Sequence, residues 1–216
     1  MYLSRIMLDT TKRKTMQGLA FPPVFHGAVE SSFTGERKRR LWRLDNLNGK
    51  QYILIVSEDK PDFTRFAEQF GYEGEYGTKD YSPFLDSITE GSKWQFRLTA
   101  NPSVNRRKEN STIRREREVL SHITIEHQSE WLIKRAEKNG FSLDEFLVTH
   151  SRPYRFSKTN EDIKTDKHKK NLVYFQGVTY EGTLMVTEVG KFKELLCKGI
   201  GREKAYGMGL MTIIRK

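Results

Sequence analysis

The first half of the chain carries apolar patterns that predict strands and helices in turn. Residues 2–8 (YLSRIML) form the short apolar run that is typical of a strand. Residues 22–33 predict a helix, because two prolines stand at its start and its apolar residues fall on or near one face. In chain order we predict a strand over 2–8, a helix over 22–33, strands over 40–44 and 51–56 joined by a turn that contains an Asn-Gly step, a helix over 61–70, and over 71–83 a loop with at most a weak edge strand.

The second half repeats this order of elements. Residues 94–100 alternate apolar and polar side chains as a strand does, and the alternation stops at an Asn-Pro step. A helix over 129–139 has Ser129 positioned to cap it and Gly140 positioned to end it. In chain order we predict a strand over 94–100, a basic loop over 103–117, a helix over 129–139, strands around 144–156 and 172–186 that bracket a lysine-rich segment, a helix over 188–197 and a strand over 207–214.

Both halves therefore follow the order strand, helix, strand, strand, helix, strand, which is the ferredoxin-like order. The sequence predicts an α+β protein of two tandem ferredoxin-like (RRM-like) domains. We place the N-terminal domain at residues 1–92 and the C-terminal domain at residues 93–216.

Composition narrows the class of protein. The chain has 216 residues and no apolar run near the roughly 18 residues of a membrane-spanning helix, and its N-terminus lacks the plan of a signal peptide. A single cysteine, Cys197, excludes an internal disulfide and any cysteine-rich zinc site. We therefore expect a cytoplasmic protein.

The net charge of +10 is concentrated in three windows, at residues 36–43, 105–117 and 152–170. These windows hold 18 of the 38 basic residues and 6 of the 28 acidic ones, so the rest of the chain is slightly acidic. Clustered Lys and Arg side chains suit a phosphate backbone, although solvated loops are the alternative interpretation. The candidate RNA-binding residues in these windows are Arg39, Arg40, Arg106, Arg107, Lys108, Arg114, Arg115, Arg155, Lys158, Lys167, Lys169 and Lys170.

The histidines offer general acid–base chemistry. None of the five lies in an HExxH motif, and without cysteine clusters we predict no metal site and no cofactor. RNA can be cleaved without metal when the ribose 2′-OH attacks the phosphate and a side chain with a near-neutral pKa moves the protons. His26 is the best placed candidate, in the first turns of a helix that begins with two prolines. A histidine that is merely satisfied at a helix surface remains the alternative, and His168 is interpreted as a contact or a solvated residue.

The C-terminal tail is rich in glycine. Gly199, Gly201, Gly207 and Gly209 surround Arg202 and Lys204, and backbone without side chains can approach a phosphate closely. The stretch lacks the GK[ST] ending of a Walker loop and follows a helix, so it does not predict nucleoside triphosphate binding. Glycines that only let a helix pack tightly on a strand are the alternative.

Several of these segments together resemble one family. The chain is similar to the CRISPR RNA-processing endoribonucleases of type I-E systems, the CasE family, in MYLSRIML, LWRL, FRLTANP, EWL, YEGTL and GIGREKAYGMGLM, which occur in order along nearly the whole chain. The resemblance implies tandem ferredoxin-like domains, metal-independent cleavage at the base of a CRISPR repeat RNA hairpin, and retention of the product within a surveillance complex of other subunits.

Residue by residue, the resemblance matches His26 to the catalytic histidine, the glycine-rich tail to the RNA-binding loop, and the basic hairpin around residues 155–170 to the element that meets the RNA stem. The chain departs from the family at Pro23, where members often have tyrosine, and at Gly27, where some have a basic residue. Lys204, Arg202 or a basic residue of 36–43 is then expected to stabilise the reacting phosphate. The products are expected to be a 2′,3′-cyclic phosphate and a 5′-OH. A non-catalytic RNA-binding subunit is the main alternative, and a DNA-binding regulator is a weaker one, because no helix-turn-helix pattern is present.

Overall fold

The computed structural model describes residues 1–36, 38–107, 117–158 and 171–215, and of residues 107, 117, 158 and 171 it describes the backbone alone. The strands are β1 (Tyr2–Leu8), β2 (Leu41–Leu47), β3 (Lys50–Ser57), β4 (Gly71–Asp80), β5 (Lys93–Ala100), β6 (Ser103–Arg107), β7 (Arg117–Ser121), β8 (Phe141–Lys158), β9 (Asn171–Val186) and β10 (Met211–Arg215). The helices are α1 (Arg13–Ala20), α2 (Pro22–Ser31), α3 (Thr64–Phe70), α4 (Ser82–Asp86), α5 (Ile125–Ala136) and α6 (Val189–Lys198), and 3₁₀ turns occur at Glu137–Asn139 and Lys204–Tyr206.

The first sheet has the strand order β2-β3-β1-β4, and its neighbouring strands are antiparallel. Its core joins the sheet to α2 and α3, because buried residues of α2 such as Phe25 and Val29 pack with Ile53 and Ile55 of β3 and with Phe66 of α3. The hairpin between β2 and β3 closes through the predicted Asn48-Gly49 turn. Both turn residues have positive φ, as a tight hairpin turn requires.

The second sheet has the order β10-β5-β9-β8 and is also antiparallel. Its core includes Trp131 and Leu132 of α5, Phe192 of α6, and Tyr180 and Leu184 of β9. Both sheets therefore have the strand order of a ferredoxin-like fold, and the predicted α+β fold class is confirmed. The boundary at residues 92 and 93 stays a prediction.

A buried arginine connects the two sheets. Arg43 of β2 is 1% exposed and forms a bidentate pair with Asp45, at 2.8 and 2.7 Å. The same guanidinium donates to the carbonyl oxygens of Arg97 on β5 and Leu210 at 2.8 and 2.9 Å, and to the Thr212 hydroxyl on β10 at 2.7 Å. One side chain of the first sheet thus makes three hydrogen bonds across the seam, while Asp45 of the same strand balances its charge.

Three predicted segments differ from the structure. The loop expected over 71–83 is mostly the ten-residue edge strand β4, which the apolar pattern missed because its side chains are nearly all exposed and its backbone pairs with β1. The basic loop over 103–117 begins and ends as the paired strands β6 and β7. Helix α5 starts before Ser129, and Thr124 caps it by accepting from the backbone N–H of His127.

Helices α1 and α4 were not predicted, because each is short and buries few side chains. In the part of the chain that the structure describes, no helix is long and apolar enough to cross a membrane.

Candidate nucleic-acid interface

His26 lies in the second turn of α2 and is half-buried. The helix begins at Pro22, which fixes the backbone for the first turn and needs no hydrogen-bond acceptor. Phe25 and Val29 are fully buried and anchor the helix to the first sheet. Phe25 and Val29, which precede and follow His26 on the helix, therefore hold His26 at the edge of the core.

The glycine-rich tail lies against this helix. The 3₁₀ turn Lys204–Tyr206 contacts α2, and Trp42 of β2 lies between the two segments. The Trp42 ring is 6.2 Å from the Phe25 ring between centroids, and its Nε1–H donates to the carbonyl oxygen of Ala205 at 3.2 Å. Trp42 thereby ties the tail to the residue that precedes His26.

Three tail glycines are required for packing. The first is Gly199, which has a φ of +68° and where a Cβ would lie 2.8 Å from the carbonyl oxygen of Gly209. Gly207 and Gly209 are buried and have φ values of +81° and +87°. A Cβ at Gly207 would lie 2.8 Å from the Trp42 ring, and one at Gly209 would collide with the carbonyl oxygen of Ile200. The packing interpretation therefore suits these three positions better than direct contact with a phosphate. Gly199 and Gly201 are partly exposed.

An aromatic cluster connects the loop-proximal ends of β8 and β9 to the same place. The Phe156 ring of β8 lies 5.3 Å from Phe21, which precedes α2, and 4.9 Å from Tyr206 of the tail. Phe175 of β9 stacks on Tyr206 at 5.8 Å. The structure thus brings together the start of the His26 helix, the tail and the long hairpin, which are far apart in the sequence.

The cations beside the tail are close enough to perturb one another. Lys204 is half-buried, and its Nζ donates to the carbonyl oxygen of Lys198 at 2.8 Å. Burial lowers the pKa of Lys204, and the positive charges of Arg39 and Arg135 lower it further. Arg202 likewise lies near Arg135, whose pKa is lowered first by burial and then by Arg202. Of the predicted RNA-binding residues, Arg39, Arg202 and Lys204 are therefore grouped around the tail.

The remaining predicted contacts have different surroundings. Arg40 is 8% exposed, pairs with Glu30 at 2.6 Å and lies over the Phe33 ring at 4.3 Å, so its guanidinium is already engaged inside the protein. Arg40 is therefore not part of the candidate interface. Arg106 on β6 and Arg155 on β8 are exposed. The side chains of Arg107 and Lys158 are not described, and Lys108, Arg114, Arg115, Lys167, His168, Lys169 and Lys170 lie outside the described residues.

Sequence reasoning missed two residues of this interface. Trp42 belongs to the LWRL segment, but nothing local indicates that its ring would meet the tail. Arg135 follows Trp131 by four residues, a spacing that places both on one helix face, and this signal was available. Within the described ranges, no group of three or more His, Cys, Asp or Glu side chains is placed to hold a metal ion.

The comparisons with known proteins agree with this fold. The model of a family described as "CRISPR associated protein" matches residues 1–215. This chain belongs to that family. It is 27% identical to the CRISPR-associated endoribonuclease Cse3 of Thermus thermophilus, over 99% of each chain.

Two solved structures show the same fold as this CRISPR-associated protein. One is CRISPR endoribonuclease Cse3 bound to 19 nt RNA, with a TM-score of 0.78 and 23% identity over 99% of this chain and 100% of that chain. The other is a chain of "CRISPR RNA-guided surveillance complex, pre-nicking", with a TM-score of 0.72 and 19% identity over 100% of both chains. The family match over residues 1–215 and the similarity to Cse3 over 99% of this chain support the resemblance seen in the sequence.

Proposed function

We propose that this protein is a metal-independent endoribonuclease that binds the stem-loop of CRISPR repeat RNA and cleaves it at the base of the hairpin. The observation that carries the proposal is the meeting of the His26 helix, the tail and the loop-proximal ends of β8 and β9 around the aromatic cluster of Phe21, Phe156, Phe175 and Tyr206. The relative Cse3 is named an endoribonuclease, and a similar structure contains RNA. The same similarity supports retention of the product within a surveillance complex.

In the proposed mechanism, the ribose 2′-OH beside the scissile bond attacks the phosphorus and displaces the 5′-oxygen of the next nucleotide. His26 either accepts the 2′-OH proton or donates a proton to the leaving oxygen. The bond that forms closes a 2′,3′-cyclic phosphate, and the bond that breaks leaves a 5′-OH. Charge that develops on the phosphate oxygens is stabilised by fixed cations.

This chain has Pro23 where family members often have tyrosine, so a cation is expected to stabilise the reacting phosphate instead. Lys204 is the best placed of these cations. Its turn contacts α2, and its ammonium is anchored on the carbonyl oxygen of Lys198. Burial is the largest cause of the lowered pKa of Lys204, and Arg39 lies near enough for its charge to lower this pKa further. We propose that these two cations neutralise the phosphate that His26 acts on.

A test incubates the protein with its cognate CRISPR repeat RNA in EDTA. We expect cleavage at the base of the hairpin, with a cyclic phosphate at one end. Replacing the ribose before the cut by deoxyribose should stop cleavage and leave binding nearly unchanged. Cleavage of the deoxy substrate at the parent rate, or a requirement for added divalent metal, would contradict the mechanism.

The second candidate is a non-catalytic RNA-binding subunit, and the specific observation in its favour is Pro23 in place of the family's tyrosine. The same incubation separates the two functions, because this candidate binds the stem-loop with high affinity and leaves it intact. A cytoplasmic location remains part of the proposal for both.

A further inference from the structure

Arg135 is a half-buried cation on the last turn of α5 that faces the tail. Its guanidinium lies 4.7 Å from the centroid of the Trp131 ring, one helical turn earlier. Stacking of this kind holds a guanidinium in a fixed plane while its N–H groups stay available for an anion. Arg135 is therefore oriented before any ligand arrives.

Trp131 in turn is fixed against both the core and the tail. It is 5% exposed and stacks on the buried Tyr180 ring at 6.3 Å. A Cβ at Gly201 would lie 3.2 Å from the Trp131 ring, so the tail backbone passes directly over the indole. The next residue, Arg202, forms a backbone bridge with Asn101 of the FRLTANP segment. Arg135 and Arg202 are thus carried by segments that pack on one another.

The charges of this pair are not balanced by acids. Among the described residues neither Arg135 nor Arg202 forms an ion pair, whereas the neighbouring Lys134 pairs with Glu130 at 3.0 Å. Like charges held close together repel, and this repulsion disfavours the protonated form of a cation. The pKa of Arg135 is lowered first by burial and then by the charge of Arg202, and Lys204 adds a third positive charge nearby. A phosphate bound between these cations would attract each of them and so offset their mutual repulsion.

We propose that Arg135, stacked on Trp131, binds a backbone phosphate of the repeat RNA together with Arg202. The fork of N–H donors on each guanidinium matches two phosphate oxygens, and a protein-held fork loses little entropy on binding. This inference rests on the proposed function and extends it to a residue outside the three basic windows of the sequence. Arg135 holds the substrate and takes no part in proton transfer.

The test compares Arg135→Gln, Arg135→Lys and the control Lys134→Gln, which removes a charge from the adjacent, ion-paired residue. Equilibrium binding of the cognate stem-loop is measured over a salt series, with single-turnover cleavage at saturating protein. For Arg135→Gln we expect the affinity to fall by about tenfold and the slope of log K against log salt to fall by about 0.7 to 0.9, the share of one phosphate contact. Arg135→Lys should keep the slope and lose part of the affinity. Lys134→Gln should match the parent.

At saturating protein, Lys134→Gln should cleave within about twofold of the parent rate, because Lys134 is paired with Glu130 and lies outside the proposed phosphate site. An Arg135→Gln protein with the melting temperature, salt slope and affinity of the parent would overturn the inference and leave the proposed function standing. Equal losses in Arg135→Gln and Lys134→Gln would also overturn it, because they would show a general effect of charge at the helix end. A parent protein that does not bind the stem-loop would overturn the proposed function as well.

Discussion

The two ferredoxin-like units use hairpins in equivalent positions for different purposes. In the first, β2 and β3 have 7 and 8 residues and close at a two-residue turn. In the second, β8 and β9 have 18 and 16 residues. Strands of the first length complete a sheet, whereas strands of the second extend beyond the core that their own sheet can cover. Near its far end the extension packs through Phe156 and Phe175 on Tyr206, and it exposes Arg152 and Arg155.

The two units also differ in whether their buried or half-buried arginines have acidic partners. In the first unit Arg40 and Arg43 are buried and paired with Glu30 and Asp45, and Arg43 holds the seam. In the second unit Arg135 is half-buried without an acidic partner among the described residues. This difference fits the proposal that the first unit positions His26 for the reaction and that the second unit supplies most of the binding surface. The following experiments test this division.

The largest expected effect is on the reaction rate. His26→Ala should slow single-turnover cleavage by about 10²- to 10⁴-fold, the usual contribution of a general acid or base, with little change in affinity. His150→Ala is the control, because His150 is exposed on β8. If the His26→Ala protein cleaves RNA at the parent rate, His26 is not the catalytic residue and the role assigned to the first unit is wrong.

The next effect is on binding by the second unit. Neutral substitution of the five hairpin cations Arg155, Lys158, Lys167, Lys169 and Lys170 should lower the salt slope by roughly 3 to 5, if each meets one phosphate. Affinity should fall sharply, while the rate at saturation falls much less than in His26→Ala. Substitution of Lys134, Lys191 and Lys193, which are paired with acids, serves as the control. Normal binding with lost cleavage would instead place the hairpin in the active site.

The seam between the units should respond in stability. Arg43→Met removes the bidentate partner of the buried Asp45, which keeps a 3.8 Å contact with Arg97, and removes donors from two carbonyl groups, so we expect the free energy of unfolding to fall by about 3 kcal/mol. The double variant Arg43→Met with Asp45→Leu should recover part of this loss, because no buried charge is left unpaired. Urea unfolding measures both. Equal stability of the single variant and the parent would show that the seam does not depend on Arg43.

The smallest effect concerns pH. Burial lowers the pKa of His122, the charges of His127, Arg106 and Lys134 add to this, and Glu130 opposes it. The unfolded state then binds the proton more readily than the folded state, so stability should fall as the pH drops through about 6.5 and below. His122→Asn should reduce the loss of unfolding free energy between about pH 7.5 and about pH 5.5, which bracket the ordinary histidine pKa. An unchanged loss in His122→Asn would contradict the assignment.

Much of the fold follows from the sequence alone, because it depends on local patterns. The alternation in β5, the apolar run of β1 and the Asn48-Gly49 turn each specify their element within a few residues. The repeated order of elements then leaves few topologies for two antiparallel sheets. The same local patterns identified the tail and the histidine at the start of α2, and the family match supports the resemblance that these segments carry.

The tertiary structure decided what each residue meets. Strand β4 has almost no apolar pattern, and it exists because its backbone completes the hydrogen bonds of β1. Arg40 and Arg135 are both arginines near aromatic rings. Arg40 forms an ion pair with Glu30, whereas Arg135 lies over Trp131 and near the positive charge of Arg202. Local sequence specifies backbone preference and charge, but whether a buried or half-buried charge has a partner depends on segments distant in the chain. Only the folded chain brings those segments within the few ångströms over which ion pairs and ring contacts act.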